Sequence, residues 1–279
     1  MYEKRIYLHY ILKSKIKMIR LYGLIGYQLS HSFSQRYFTE KFAKEGLKGY
    51  SYQLFPMDNI GEVRKLLEQQ HDLHGFNVTI PYKEQIIAYI DEMDIVAEKT
   101  GAVNTVQVIR NGKDIYLKGY NTDVYGFSQS LQEWFKVLNE ELPTQALVLG
   151  TGGASKAVVY ALNCLNIVTN VVSRGTSPPT PLQRRGEKSY NQLNDVDIVA
   201  NRLIVNTTPL GMFPKVEECP AIPYQYLTEK HCLYDLVYNP EETLFMRKGR
   251  EMGASVFNGE RMLHLQADKA WEIWQNNPL

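Results

Sequence analysis

The stretch HGFNVTIPYKEQI, residues 74–86, sets an amide, a hydroxyl and an ammonium around a β-branched pair and a proline: Asn77, Thr79 and Lys83. Asn77 and Thr79 share one strand face because side chains alternate. Pro81 then reads as the opening of a helix with Lys83 at its start. A cation is poorly placed there, since a helix N-terminus is itself positive. Alone, the run would read as a strand end followed by a solvated lysine. Other polar groups change that balance. LSHSFS places Ser30 and Ser32 after the first strand, where hydroxyls either cap the next helix or bind a carboxylate, and capping explains one serine more readily than two. GAVNTV offers Asn104, and GYNTDVYG offers Asp123.

A second constellation follows an apolar strand. In LVLGTGGAS, Gly150, Gly152 and Gly153, with Thr151 and Ala154, would let backbone N–H groups approach a pyrophosphate at a helix N-terminus. The third glycine of the GxGxxG fingerprint is Ser155, so the match is partial; the alternative is a tight strand–helix turn. The flanking strand and helix are the context the motif requires. The next strand, NVVSR, ends where such sites meet the adenosine ribose. A carboxylate there binds the 2′-hydroxyl of NAD, whereas an arginine accepts the 2′-phosphate of NADP. The position holds Ser173 and Arg174, with no carboxylate until Glu187. A guanidinium grips phosphate bidentately, so the residues read as an NADP site, the alternative being a solvated strand-end arginine.

These groups need strands and helices in alternation to position them. From Met18 the chain supplies a strand (IRLYGLIG), a helix (SQRYFTEKFAKEG, closed by Gly46) and a strand (YSYQLFPM). A helix with Ile60, Val63, Leu66 and Leu67 on one face comes next, then the strand LHGFNVTI. GAVNTVQVIRNGKDIYLKGYN alternates like a hairpin turning at Asn111-Gly112. The long helix VYGFSQSLQEWFKVL leads to a second βαβ series, which starts at QALVLGTGGASKAVVYALNCL and runs through TNVVSR, DIVANRLIVNTT, CLYDLVY and ASVFNG. The fold class is therefore α/β, in two domains divided near residue 124. RMLHLQADKAWEIWQ closes the chain as an amphipathic helix whose periodicity does not say which domain it joins. GTSPPTPLQRRGEKS, residues 175–189, reads as a solvated loop.

Bulk properties exclude several classes. Thirty-one basic against thirty acidic residues leave +1 among 279, so no global field attracts nucleic acid or anionic lipid. No apolar run approaches the roughly 20 residues that span a bilayer. Three scattered cysteines, Cys164, Cys219 and Cys232, point to a reducing, cytoplasmic setting, and no ligand spacing suggests a metal. Residues 1–17 are basic, without a clean apolar centre; no signal peptide is expected, and they read as a loosely held extension.

The motifs LSHSFS, NVTIPYK, GAVNTV, NTD, GTGGAS, NTTPLGM, YDLVYNP and NGERMLHLQA, in this order, resemble those of the shikimate dehydrogenase family from Met18 to the end. The resemblance implies an NADPH-dependent, reversible reduction of 3-dehydroshikimate to shikimate, in the pathway to chorismate and the aromatic amino acids. It implies that Ser30 and Ser32 bind the substrate carboxylate, that Asn77, Thr79, Asn104, Asp123 and Gln266 take the ring hydroxyls, and that Tyr238 is a further substrate contact. Lys83 and Asp123 match the catalytic pair. Gly150 to Ala154 match the phosphate loop, Ser173 and Arg174 the 2′-phosphate position, and Thr207, Leu236 and Gly259 the rest of the NADP(H) site. Residues 18–123 with 260–279 would then form a mostly parallel substrate domain, and 124–259 a Rossmann-type cofactor domain. The final helix returns to the substrate domain, because Gln266 must reach the ligand. A monomer or homodimer is expected.

Two departures stand out. The family commonly carries Asn-Arg-Thr or a similar triplet where this chain has Ser-Arg-Gly, and the proline-rich loop follows at once. Alternatives are a quinate/shikimate dehydrogenase of broader cofactor use, which would usually carry an acidic residue at that site, and a non-catalytic ligand sensor, which could lose Lys83 or Asp123. A folate-interconverting dehydrogenase would leave the serine pair and Gln266 without an obvious role.

Overall fold

The computed structural model describes residues 20–27, 29, 32–174 and 188–276. The extension, Ser30 and most of the proline-rich segment, with Arg184 and Arg185, lie outside them. Two six-stranded sheets carry the chain. The first contains β1 (Arg20–Gly26), β2 (Tyr50–Pro56), β3 (Leu73–Val78), β4 (Glu92–Met93), β5 (Thr105–Asn111) and β6 (Asp114–Tyr120), in the order β2-β1-β3-β5-β6-β4. β1 runs parallel to β2 and β3, and β4 to β6. The β5–β6 hairpin inserts antiparallel against β3. Asn111 pairs with Asp114, and Gly112 takes φ 62°, so the hairpin turns on Gly112-Lys113, one residue later than the sequence predicts.

The second sheet contains β7 (Gln145–Leu149), β8 (Val168–Ser173), β9 (Lys188–Ser189), β10 (Leu203–Asn206), β11 (Cys232–Asp235) and β12 (Ser255–Phe257), in the order β12-β11-β10-β7-β8-β9. Every pair is parallel. Its central strands are largely buried, as the apolar runs LVL and LIV require. Counted from β7, the order is 3-2-1-4-5-6, the doubly wound dinucleotide arrangement, whose switch point lies between β7 and β10.

The helices are α1 (Phe33–Lys44), α2 (Val63–Gln69), α3 (Ile95–Thr100), α4 (Thr122–Leu138), α5 (Gly153–Cys164), α6 (Asp195–Ala200), α7 (Leu244–Glu251) and α8 (Glu260–Gln275). The helix expected to open at Pro81 does not form. Residues 81–84 turn, and a short 3₁₀ segment, Gln85–Tyr89, follows. The reason is a long-range bond: the Lys83 carbonyl accepts from Val103 N–H at 2.8 Å, while Ile87 N–H reaches only three residues back, to Glu84. Thr79 likewise lies just past the end of β3.

α4 and α5 cover one face of the second sheet, burying Phe127, Leu131, Phe135, Val158 and Leu162 against Val148, Val205 and Tyr234. α8 spans both units. Met262 joins the α4 core, whereas Ala267, Ala270, Trp271 and Trp274 pack with Tyr22 and Tyr52 of the first sheet and with Phe38 and Phe42 of α1. The Trp274 indole donates to Val106 O at 3.0 Å, and a Cβ on Gly75 would lie 2.3 Å from its Nε1, so only glycine fits beneath it. Truncating a buried indole of this kind costs about 3–5 kcal/mol.

Candidate active site

The first turn of α4 carries Asp123, where the helix dipole favours a carboxylate. Its Oδ2 lies 2.6 Å from Lys83 Nζ, which the turn after β3 delivers. Asn104, just before β5, donates through Nδ2 to Asp123 Oδ1 at 2.9 Å and accepts at Oδ1 from Thr122 N–H at 2.7 Å. From α8, Gln266 brings Oε1 to 3.4 Å from Thr122 Oγ1 and 3.5 Å from Asn104 Nδ2. A Cβ on Gly126 would sit 2.6 Å from Met262 O and 3.0 Å from Gln266 Cβ, so the glycine lets the two helices close to that distance. Asn77 is held on the strand side: its amide donates to Thr105 Oγ1 at 3.0 Å and accepts from the Tyr52 hydroxyl at 2.8 Å. Five polar groups from four segments thus meet: Asn77 and Lys83 from β3 and the turn after it, Asn104 before β5, Asp123 on α4 and Gln266 on α8.

Three further candidates make contacts of their own. Thr79 packs its methyl against Gly26, beside the carboxyl end of β1. Ser32 is the N-cap of α1, its hydroxyl accepting from Gln35 N–H at 3.4 Å; that role leaves its own hydrogen available to a ligand. Tyr238, beyond β11, meets Phe33 of α1 edge-on, with ring centroids 6.1 Å apart. Burial raises its phenol above the ordinary range, with the charge of Arg36 opposing.

The cofactor side is built on backbone. Gly150, just past β7, takes φ 118°, and a Cβ there would lie 2.6 Å from Thr207 Oγ1. Thr207, just past β10, donates through hydroxyl and N–H to Leu149 O at 2.7 and 3.0 Å, locking the two strand tips at the switch point. Gly152 is the N-cap of α5, with open space where a side chain would stand. Ser155 Oγ donates to Gly150 O at 2.6 Å. The residue that broke the glycine fingerprint therefore closes the loop with its hydroxyl. Ser173 is buried at the end of β8 opposite Ser189, and Arg174 is exposed beyond it. Gly259 rests on Leu236, where a Cβ would come within 2.1 Å of the Leu236 carbonyl.

Several participants carry no role in the sequence reading. Thr122 lies inside the NTD motif yet goes unassigned, although it joins Asn104 to Gln266. Tyr52 gives no local signal, because its contact to Asn77 crosses from β2 to β3. Asp235 is fully buried and accepts from Thr243 Oγ1 at 2.6 Å, Asn206 Nδ2 at 2.9 Å and Val237 N–H at 3.0 Å. Burial pushes its carboxyl up to about 7, and the three donors pull the other way. Asn206 in turn accepts from the N–H and hydroxyl of Thr208, so the carboxylate braces the loops after β10 and β11.

The model of the shikimate dehydrogenase substrate binding domain matches residues 24–106. A shikimate dehydrogenase (NADP(+)) from Methanococcus maripaludis is 37% identical over 95% of this chain and 94% of its own length. The chain belongs to the shikimate dehydrogenase family. Solved structures agree. Shikimate 5-dehydrogenase from Thermus thermophilus, in complex with NADP(H) and shikimate, superposes with a TM-score of 0.79 at 29% identity, over 93% of this chain and 94% of that one. Quinate dehydrogenase from Corynebacterium glutamicum, in complex with NAD, reaches 0.80 at 28% identity, with coverage of 93% and 94%. Within the described residues, no helix of this family member is long and apolar enough to cross a membrane.

Proposed function

We propose that this chain is an NADP-dependent shikimate dehydrogenase, reducing the 3-carbonyl of 3-dehydroshikimate reversibly to shikimate. One observation carries the mechanism: the Lys83–Asp123 pair, 2.6 Å apart, abuts the glycine loop, where a Cβ on Gly153 would lie 3.4 Å from Lys83 Cβ. Proton-transfer groups and dinucleotide loop therefore adjoin.

The residues fit the dinucleotide. Glycines at the N-terminus of α5 leave room for a pyrophosphate, Ser173 and Arg174 stand at the ribose 2′-position without a carboxylate to repel a phosphate, and Thr207, Leu236 and Gly259 line the strand ends. The cofactor, when bound, supplies hydride to the carbonyl carbon. Lys83 places an ammonium for the carbonyl oxygen and gives it a proton. Asp123 holds that ammonium and takes a ring hydroxyl. Asn77, Thr79, Asn104 and Gln266 orient the remaining hydroxyls, Ser30 and Ser32 the carboxylate, and Tyr238 closes the mouth. We assign residues 18–123 with 260–279 to the substrate and 124–259 to the cofactor, supported by the seat of Trp271 and Trp274 on the first sheet. A cytoplasmic monomer or homodimer completes the proposal; cysteines Cys164, Cys219 and Cys232 are free, in keeping with a reducing compartment.

The test is cofactor-absorbance turnover on 3-dehydroshikimate with NADPH and with NADH, and on quinate in reverse. Turnover with a higher kcat/KM for NADPH supports the proposal. Preference for NADH with fast quinate oxidation replaces it with the quinate/shikimate reading, and no turnover with any pair leaves the ligand-sensor reading.

A further inference from the structure

Lys156 stands in the first turn of α5, directly after the glycine loop, and Glu84 follows Lys83 in the turn after β3. Their side chains meet at 2.6 Å, joining an element of the second sheet to a loop of the first. Lys156 is largely buried, whereas Glu84 is half exposed. A lysine in the first turn of a helix works against the helix dipole, so an anion beside it offsets that cost. Here that anion is Glu84. The neighbouring contacts share the same purpose: the Lys83 carbonyl is fixed by Val103 N–H, its ammonium by Asp123, and its Cβ faces Gly153, which also has Ala102 beside it.

Resting on the functional reading above, we infer that Glu84 and Lys156 are positioning residues: their ion pair is a strut that fixes the height of the dinucleotide loop over the Lys83 ammonium. Neither residue touches the reacting atoms. A half-exposed ion pair adds little to overall stability. Its leverage is geometric, because hydride and proton must arrive at one carbonyl from opposite units of the molecule, and small misplacements of reacting groups are costly.

The experiment is a double-mutant cycle on the full chain with Glu84→Gln, Lys156→Met and the double variant, plus Lys156→Arg as the conservative control. Each single change is expected to lower kcat about two- to fivefold, on the scale of a partly exposed ion pair. The double variant should fall no further than either single one, and Lys156→Arg should restore turnover. The NADPH Kd, read without turnover from cofactor fluorescence, should stay within about twofold throughout, on the same scale. Independently of activity, hydrogen exchange at the Val103 amide, which reports the Lys83 carbonyl bond, should quicken in both single variants. Additive losses overturn the strut, as do unchanged kinetics with unchanged exchange. Weaker NADPH binding in Lys156→Met alone also overturns it, and makes Lys156 a pyrophosphate ligand. If the unmodified chain reduces no 3-dehydroshikimate with NADPH, the functional reading fails, and the exchange experiment still decides whether the strut exists.

Discussion

Each unit of this molecule holds a buried carboxylate, and the two are satisfied in different ways. Asp123, on the substrate side, has an ammonium at 2.6 Å and an amide at 2.9 Å. Asp235, on the cofactor side, has only neutral donors, and its carboxyl rises to about 7. A buried charge with a counter-ion can stay charged and move protons, while one without a counter-ion is tolerated for its hydrogen bonds. The contrast extends to the surroundings. Around Asp123 an ammonium, side-chain amides and hydroxyls are locked to one another; around Asp235 a hydroxyl, an amide and one backbone N–H hold the loops after two strand tips. The substrate side is specified by residue identity, and the cofactor side by topology with a few glycines.

The comparison can be broken in four places. Lys83→Ala should lower kcat by about 10²- to 10⁴-fold with substrate binding retained, because a positioned acid contributes on that scale; steady-state rates and a substrate Kd check it, and near-normal turnover would remove Lys83 from the chemistry. Arg174→Ala should cost about 10- to 100-fold in kcat/KM for NADPH, the worth of a charged hydrogen bond, and leave NADH nearly unaffected. Equal losses with both would show that the residue does not read the 2′-phosphate. Thr122→Val keeps the shape but removes the hydroxyl between Asn104 and Gln266. Substrate KM should rise about tenfold, in line with a net hydrogen bond, while the NADPH Kd stays put; a change in cofactor affinity instead would erase the division of labour.

Asp235→Asn should produce the smallest effect, visible only against pH. Because the folded carboxyl titrates above its ordinary 3.8, the unfolded chain releases a proton that the folded chain keeps between about pH 4 and 7. Native stability therefore falls as pH rises through that window and is level above it. The asparagine variant loses this slope, so its melting temperature should drop less between about pH 5 and 7.5. An unchanged slope would mean that Asp235 carries its charge throughout that window, and the contrast between the two carboxylates would collapse.

Much of this was legible because it is local. LVL and LIV announce strands buried on both faces, and a glycine loop between a strand and a helix announces a dinucleotide turn. What stayed hidden depends on contacts between distant segments. The turn at Lys83 replaces a helix because Val103, from the far side of α3, takes its carbonyl. Ser155 is a local exception: it departs from the glycine fingerprint by residue type, and its role lies in the bond from its hydroxyl to Gly150 O. Tyr52 and Thr122 enter the polar cluster only once β2, β3 and α4 are side by side, and the direction of α8 rests on which core accepts its tryptophans.

That last point bears on how the protein is made. The aromatic face of the first sheet waits for Trp271 and Trp274, and Gln266 arrives with them. On the ribosome, the cofactor-binding half has all its strands before α8 exists, while the half synthesised earlier keeps an open apolar surface. Translation order and completion order are therefore inverted, and a nascent chain stalled before residue 260 would present that unfinished surface to chaperones.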